Sequence, residues 1–556
     1  MKHYYLNTDP ITAYKRISKA KNYVDKTGLI DFINKMMESE NQLALVSRPR
    51  RFGKTYAAIM LKAYYTIGYD TTDLFKDKII RQLDPGLTNK GEFDVIYIDM
   101  LRVRSFAKGR QKEMDEEAAT KRKKSKRLDW IDFLEKSIAQ EIADLYGDDV
   151  IDKGSLAKTL VNTVEKNNRQ FVWICDEWDN FFREPTDDPN ARDNYIALLR
   201  SLFKDKEICS TVFAAAYMTG ILPMIKMKGY SALSEFDDYT MFAPGDLAPY
   251  IGFTETEVRG LLARNPECGI TYEEMAEWYE GYAFPKTGPL FNPQSVVKAI
   301  TKDFCKCYWS SEESRVQFKE LVVLQNDTLR KDVEGLLRGE EVPVNDLNFD
   351  NDLATLPAAG RNSTLAAMVH LGYLNFSSKT SRARIPNKEI REMYVNMLED
   401  SSYPAIFRKI AEADEILEST LRGEEQKVAD AFRRIHYHYA DPKAGNKEAT
   451  LKETVDLAYY TAERFYIRMY ELPTGEGYAD IVLYPKAGKA MPLMVIELKM
   501  NKTTNTGLDQ IKARRYPDRF REYGGREMLL VAVSYDADKL EKEHYCKIEK
   551  VQLPVF

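Results

Sequence analysis

The chain has 556 residues, several times the roughly 100–150 residues of a typical domain, so it divides into more than one domain. Its 81 Lys and Arg against 86 Asp and Glu leave a net charge of −5, which excludes coating nucleic acid by bulk charge and makes any such contact local. With 44% hydrophobic and 30% charged residues and no long uncharged run, the composition excludes a disordered chain and a membrane protein.

The first residues, Met1 to Arg16, mix Lys, Asp and Tyr without the apolar centre of a signal peptide, which predicts a cytoplasmic protein. Cys175, Cys209, Cys268, Cys305, Cys307 and Cys546 are scattered without a CxxC pair, so they read as reduced thiols rather than a disulfide scaffold or zinc ribbon. Of the five histidines only His436 and His438 are close together, and a metal is therefore expected on carboxylates.

In chain order, the short β-rich runs Leu43 to Val46, Val95 to Ile98, Phe171 to Cys175 and Thr211 to Tyr217 alternate with helical stretches. That alternation predicts an α/β fold around a buried parallel sheet. Lys108 to Arg127, with Lys121 to Lys124 at its centre, reads as a solvated helix or surface insertion in preference to a nucleic-acid patch. Beyond Phe242 the pattern turns helical, with amphipathic candidates at Glu255 to Leu262, Glu273 to Tyr279, Val296 to Cys305, Arg315 to Val323 and Glu389 to Met397. After a polar break at Ala440 to Asn446 the order becomes α-β-β-β-α-β: a helix over Leu451 to Arg464, strands at Arg468 to Leu472, Ala479 to Tyr484 and Pro492 to Leu498, a helix around Gln510, and a strand at Met528 to Val533. The expected domains are thus 1–245, 246–440 and 441–556.

The first strand runs into Ser47-Arg-Pro-Arg-Arg-Phe-Gly-Lys-Thr55 and then a helix. A loop at this place offers backbone N–H groups and the positive end of a helix dipole to a phosphate. Gly53 allows close approach, Lys54 reaches the β and γ oxygens, and Thr55 can ligate Mg²⁺. Arg48 stands where the full GxxxxGK[ST] pattern has its first glycine. The strand Val172 to Cys175 leads into Asp176 and Glu177: the first can hold Mg²⁺ through water, the second can polarise an attacking water. An N-capping acidic pair after a buried strand would explain one carboxylate but not its coincidence with a Gly-Lys-Thr loop.

Near the C-terminus, Asp480 and Glu497 fall on adjacent strands of a hairpin, where two carboxylates and the Leu498 carbonyl make a hard-cation site. Lys499 shares the face of Glu497 and can stabilise charge developing on a phosphate. An exposed Glu-x-Lys pair on an edge strand is common by itself. The order of elements favours a phosphodiesterase layout, since a helix with Glu453 precedes and one with Gln510 and Lys512 comes after.

With these residues the chain resembles the prokaryotic proteins that combine an AAA-ATPase-like domain with a C-terminal PD-(D/E)XK nuclease-superfamily domain. The resemblance is carried by Tyr23-Val-Asp-Lys-Thr27, by Arg48-Pro-Arg-Arg-Phe-Gly-Lys-Thr55, where arginine is the family's own variant of the first glycine, and by Asp176-Glu-Trp-Asp179. Thr219-Gly220, Trp278 to Tyr282, Phe291 to Ser295, Leu371 to Leu374 and Ile385 to Glu389 extend it over most of the chain. It implies a P-loop NTPase parallel-sheet core, a helical lid and winged-helix-like middle, and a small α/β nuclease-like tail. ATP contacts are then expected at Arg51, Gly53, Lys54, Thr55, Asp176 and Thr219, where Thr219 senses the γ-phosphate. Glu177 is the expected hydrolytic carboxylate, and Thr55 and Asp176 hold Mg²⁺. In the tail, Asp480, Glu497 and Lys499 match the nuclease triad, with Glu453 as an accessory metal ligand and Gln510 as an accessory catalytic position, served by Mg²⁺ or Mn²⁺. Tyr478 departs from the family's Gly-Arg-x-Asp pattern, leaving the metal ligand but removing one phosphate-contacting cation. The leading expectation is an ATP-gated DNA nuclease in defence or mobile-element biology, for which a homo-oligomer is allowed. The alternative is an ATPase switch whose tail binds nucleic acid without cutting it.

Overall fold

The computed structural model describes residues 3–121, 125–184, 186–224, 235–309, 327–345, 360–399, 404–439, 454–455, 457–473, 478–486, 491–501, 503–505, 507–508, 520, 526–536 and 543–553. The chain forms two compact units, Met1–Val323 with Pro343–Ile390, and Leu324–Val342 with Arg391–Phe556.

The first unit is built on strands β1 (Leu43–Ser47), β2 (Asp94–Asp99), β3 (Phe171–Asp176), β4 (Phe213–Gly220) and β5 (Asp237–Tyr239), which pair in the order β2-β3-β4-β1-β5, every pair parallel. β1, β3 and β4 are buried along their whole length, as expected where crossover helices cover both faces of a parallel sheet. Ile96, Ile98, Trp173, Cys175, Ala216 and Met218 alternate onto one face and pack with Leu134, Ile138, Leu199 and Leu202 of the covering helices. The fourth strand starts at Phe213 rather than Thr211, because the preceding residues close a helix, Lys206–Val212, capped by the Asp205 side chain. β5 was not expected: its Asp-Asp-Tyr sequence has no apolar signal, and only pairing with β1 makes it a strand.

The basic stretch begins on a long helix, Met100–Thr120, whose first turn is capped by Asp99; Arg122 to Lys124 lie outside the described residues. Three helices of the following region, Glu255–Ala263, Tyr272–Tyr279 and Pro293–Lys302, are each capped by a side-chain oxygen, from Thr254, Thr271 and Asn292. This region is less uniformly helical than its pattern suggests: Phe253–Thr254, Gly288–Phe291 and Tyr282–Phe284 form an antiparallel sheet, and Asn375–Ser377 pairs with Arg382–Arg384 in a hairpin. The expected helix Arg315 to Val323 lies outside the described residues.

In the second unit, β6 (Tyr466–Pro473), β7 (Tyr478–Pro485), β8 (Leu493–Met500), β9 (Glu527–Asp536) and β10 (Glu543–Gln552) form a sheet in chain order, antiparallel except for the parallel pair β8–β9. Met494, Ile496 and Leu498 face a cluster with Ile416, Val428, Phe432 and Tyr459, while Leu493 and Val495 face a second cluster with Leu508 and Phe520. β10 adds an edge strand to the expected order; Tyr545, Lys547, Lys550 and Gln552 are exposed between half-buried positions, the pattern of a solvated edge. The expected helix around Gln510 and residue Glu453 lie outside the described residues.

A buried carboxylate organises the middle of the first unit. Glu389 Oε1 accepts hydrogen bonds from Ser295 Oγ at 2.8 Å, Tyr308 N at 2.7 Å and Trp309 N at 2.9 Å. Burial pushes its carboxyl from an ordinary 4.5 up to about 7, against those donors and the nearby Arg51 charge. The folded chain therefore holds this proton more tightly than the unfolded chain, and the associated stability is fully present below about 4.5 and lost as pH rises through about 7. Thermal unfolding followed from pH 5 to 8 should show a decline in the midpoint that Glu389→Gln, which cannot ionise, makes shallower.

Candidate nucleotide and metal sites

β1 ends at Ser47, and the ladder continues one step through Arg48 N to Gly220 O at 3.1 Å. The chain then turns through Arg51 and Gly53, both at positive φ (71° and 94°), and enters the helix Lys54–Tyr65. Gly53 adopts its left-handed conformation without a Cβ penalty at the point where backbone N–H groups open toward the helix axis. Lys54 is buried and its Nζ donates to the carbonyls of Arg48 at 3.0 Å and Pro49 at 2.9 Å, so the ammonium is held inside the loop.

Arg48, at the position where the loop pattern has glycine, is fully buried. Its Nη1 donates to the carbonyls of Ser47, Tyr239 and Thr240, and its guanidinium lies 5.2 Å from the centre of the Phe284 ring. Arg51, expected to contact nucleotide, donates from Nη1 to the carbonyls of Tyr308 at 2.6 Å and Trp309 at 2.9 Å, while Trp309 Nε1 donates back to Arg50 O at 3.2 Å. The loop is thereby tied to the segment that carries the Glu389 hydrogen bonds.

Opposite the loop, Asp176 ends β3 and stands in register with Asp99 of β2 and Thr219 of β4. Burial pushes the Asp176 carboxyl up to about 7, with a Thr55 hydrogen bond and the Lys54 charge acting in the other direction. The Thr219 hydroxyl is buried and has no hydrogen-bond partner among the described residues, an orphaned polar atom beside the phosphate loop. Thr55, Asp176 and Lys54 thus come together, and their chemistry fits a triphosphate with Mg²⁺. Glu177 comes next at φ 57°, ion-paired through Oε2 with Arg183 Nη2.

Gly220 matters for this corner. A Cβ there would lie 2.5 Å from the Trp178 ring and 2.7 Å from Asp179 Oδ1, so only glycine lets the turn after β3 press on the end of β4. Between the loop, Tyr14 to Lys26, Tyr250 to Phe253 and Pro293 to Lys298 is a cavity of about 1210 Å³ that Glu177 and Arg183 also line. Tyr23 and Asp179 belong to motifs singled out in the sequence, whereas Arg183 and Tyr14 went unnoticed. The one signal of Arg183 was its i,i+4 spacing from Asp179, which on a helix is ordinary.

In the second unit Ile481 pairs with Ile496, so Asp480 and Glu497 stand opposite one another one step along the same antiparallel register, on one face of β7 and β8. Asp480 Oδ2 accepts from Leu498 N at 2.7 Å, and Lys499 Nζ is 2.9 Å from Glu497 Oε1. Glu497 is 1% exposed, an ionisable pair sunk into the sheet rather than displayed on an edge. These two carboxylates fit a hard cation, although among the described residues no three Asp, Glu, His or Cys side chains form a metal-holding group. Glu453 and Gln510 lie outside the described residues.

Two known families match the chain, one over each site. Residues 10–228 match the family described as predicted AAA-ATPase, and residues 446–545 match the PD-(D/E)XK nuclease superfamily. The chain joins a predicted AAA-ATPase domain to a PD-(D/E)XK nuclease-superfamily domain. No curated protein matches it. Among solved structures, it aligns with the Walker-type ATPase of Pyrococcus abyssi at 13% identity, over 66% of this chain and 95% of that one, with a TM-score of 0.29. The ORC2 protein of Aeropyrum pernix aligns at 14% identity over 69% and 98% (TM-score 0.29), and Cdc6p from Pyrobaculum aerophilum at 11% over 67% and 93% (TM-score 0.24). Among the described residues no helix is long and apolar enough to cross a membrane.

Within the AAA-ATPase domain Arg48 makes a stability prediction. Arg48→Gly, which restores the first glycine of the loop pattern, leaves three carbonyls without their charged donor and a void beside Phe284. It should lower unfolding stability by about 2–4 kcal/mol in urea titration; an unchanged midpoint would show that the arginine carries no structural role.

Proposed function

We propose that the first unit binds and hydrolyses ATP and that the second is a metal-dependent phosphodiesterase acting on DNA, in defence or mobile-element biology. The observation that carries the ATPase reading is the convergence of Asp176 with Thr55 and Lys54, which line the large cavity, and the orphaned hydroxyl of Thr219 in register beside Asp176. In this reading Gly53 and the helix N-terminus cradle the phosphates, Lys54 leaves its carbonyls for the β and γ oxygens, and Arg51 keeps the loop in shape. Thr55 and Asp176 would hold Mg²⁺, which would supply positive charge against the phosphates; Thr219 would read the γ-phosphate, and Glu177 would polarise the attacking water. Division into residues 1–245, 246–440 and 441–556, a cytoplasmic location and a homo-oligomer belong to the same proposal.

In the tail, Asp480 and Glu497 would hold Mg²⁺ or Mn²⁺, the cation that activates water at neutral pH, and Lys499 would supply fixed positive charge where the transition state gathers negative charge. Glu453 and Gln510 complete the proposed set. One observation favours the second reading, a tail that binds nucleic acid without cutting it: Glu497 is neutralised by Lys499, and Asp480 is held by a backbone amide.

Lys54→Ala should remove the stabilisation by ATP, which at about 100 times the dissociation constant amounts to roughly 2.7 kcal/mol in the wild type. Equal thermal shifts in both proteins would place the nucleotide elsewhere.

On plasmid and linear DNA with Mg²⁺ or Mn²⁺, Asp480→Ala should abolish cutting while ATP binding persists, because the two sites lie in separate compact units. Lys499→Ala should slow cutting on the order of 10²–10³-fold. A wild type inactive on every form of DNA and RNA, with ATP and metal varied, selects the binding switch.

A further inference from the structure

The phosphate end of the cavity contains a cation that the loop reading leaves unused. Arg183 ends the short helix Asn180–Arg183; its side chain is only 3% exposed, yet it lines the cavity together with Lys54, Thr55 and Glu177. The two arms of its guanidinium are held very differently. Nε donates to Asp179 Oδ2 at 2.9 Å. Asp179 is itself fully buried, and the same oxygen accepts from Ile221 N at 3.0 Å and Leu222 N at 2.8 Å, so this anchor cannot shift without exposing several buried donors. Nη2 reaches the other way, to Glu177 Oε2, on a side chain 20% exposed at the rim of the cavity.

We propose that Arg183 senses the terminal phosphate: with Nε fixed on Asp179, its outer arm exchanges Glu177 for the γ-phosphate oxygens of ATP, and the released Glu177 turns to the water. The inference rests on the nucleotide reading of this cavity. A terminal phosphate carries more charge than one carboxylate and matches the planar fork of a guanidinium, so it competes for the outer arm. ADP ends one phosphate short and leaves the Arg183–Glu177 pair in place. The pair therefore keeps the hydrolytic carboxylate occupied until a triphosphate arrives. Because Asp179 also receives the amides that come just after Thr219 and Gly220, the anchor of the sensing arm and the orphaned hydroxyl belong to one rigid corner.

The test is equilibrium titration of the full chain with β,γ-imido-ATP and with ADP, Mg²⁺ present, in the wild type, Glu177→Gln, Arg183→Gln and the double variant. Arg183→Gln should weaken the triphosphate analogue roughly tenfold or more while leaving ADP unchanged, the scale of one lost charged hydrogen bond. Glu177→Gln removes the competitor and should raise the preference for the triphosphate, and that gain should vanish in the double variant. Equal weakening of both nucleotides by Arg183→Gln, or a Glu177→Gln gain that survives the second substitution, overturns the exchange. If Arg183→Gln does not fold, Arg183→Lys takes its place in the cycle, since it keeps one arm and the charge but cannot hold Asp179 and phosphate together. A wild type that binds neither nucleotide, the behaviour expected of Lys54→Ala, rejects the nucleotide reading itself and the exchange with it.

Discussion

The carboxylate of Asp179 is the fixed point of the first unit's site. It is fully buried, and one of its oxygens binds the amides of Ile221 and Leu222 and the Nε of Arg183 at once. A charge in that position is tolerable only while its partners stay in place, so it welds the turn after β3 to the end of β4. Trp178 N to Thr219 O and Trp178 Nε1 to Leu222 O reinforce the weld, and Gly220 makes room for it. Asp176, Glu177 and Thr219, the groups expected to meet the metal, the water and the phosphate, are positioned by this corner.

Desolvation shapes the loop in the same way. Arg48 is buried deeply enough that its guanidinium is pulled down to about 10, and it is retained because three carbonyls and an aromatic face meet it. An ordinary glycine at that place would leave the loop free to adapt to its ligand. Here the loop is stitched to Tyr239 and Thr240 through Arg48, and to Tyr308 and Trp309 through Arg51 and Arg50. The conformation of the phosphate-binding segment is therefore set partly by residues far along the chain, and Glu389 holds that distant segment in place.

The tail uses sheet periodicity instead of a loop. The even positions 494, 496 and 498 of β8 build one hydrophobic cluster, and the odd positions 493 and 495 build the other, so Glu497 and Lys499 emerge on the same face as Val495. The antiparallel register with β7 brings Asp480 to that face as well. Ionisable groups placed this way are expensive to bury unpaired, and the Lys499–Glu497 contact and the Leu498 amide meet the demand.

The local sequence determined the elements whose signal is local: fully apolar runs for β1, β3 and β4, the Gly-Lys-Thr turn into a helix, and the alternation that sets Asp480 and Glu497 on neighbouring strands. It did not reveal β5, because Asp-Asp-Tyr pairs only when β1 is already there, nor β10, because a solvated edge strand reads as a polar loop. The role of Arg48 was likewise hidden: the sequence marks it only as a replacement of the first glycine of the loop pattern, and its partners Tyr239, Thr240 and Phe284 lie far along the chain. Arg183 was invisible for the same reason, since its partners Glu177 and Asp179 are close in sequence but the amides that fix Asp179 come from the end of another strand. Pattern within a segment is written in one dimension, whereas the burial of a charge depends on which remote groups arrive to meet it, and that only the tertiary structure decided.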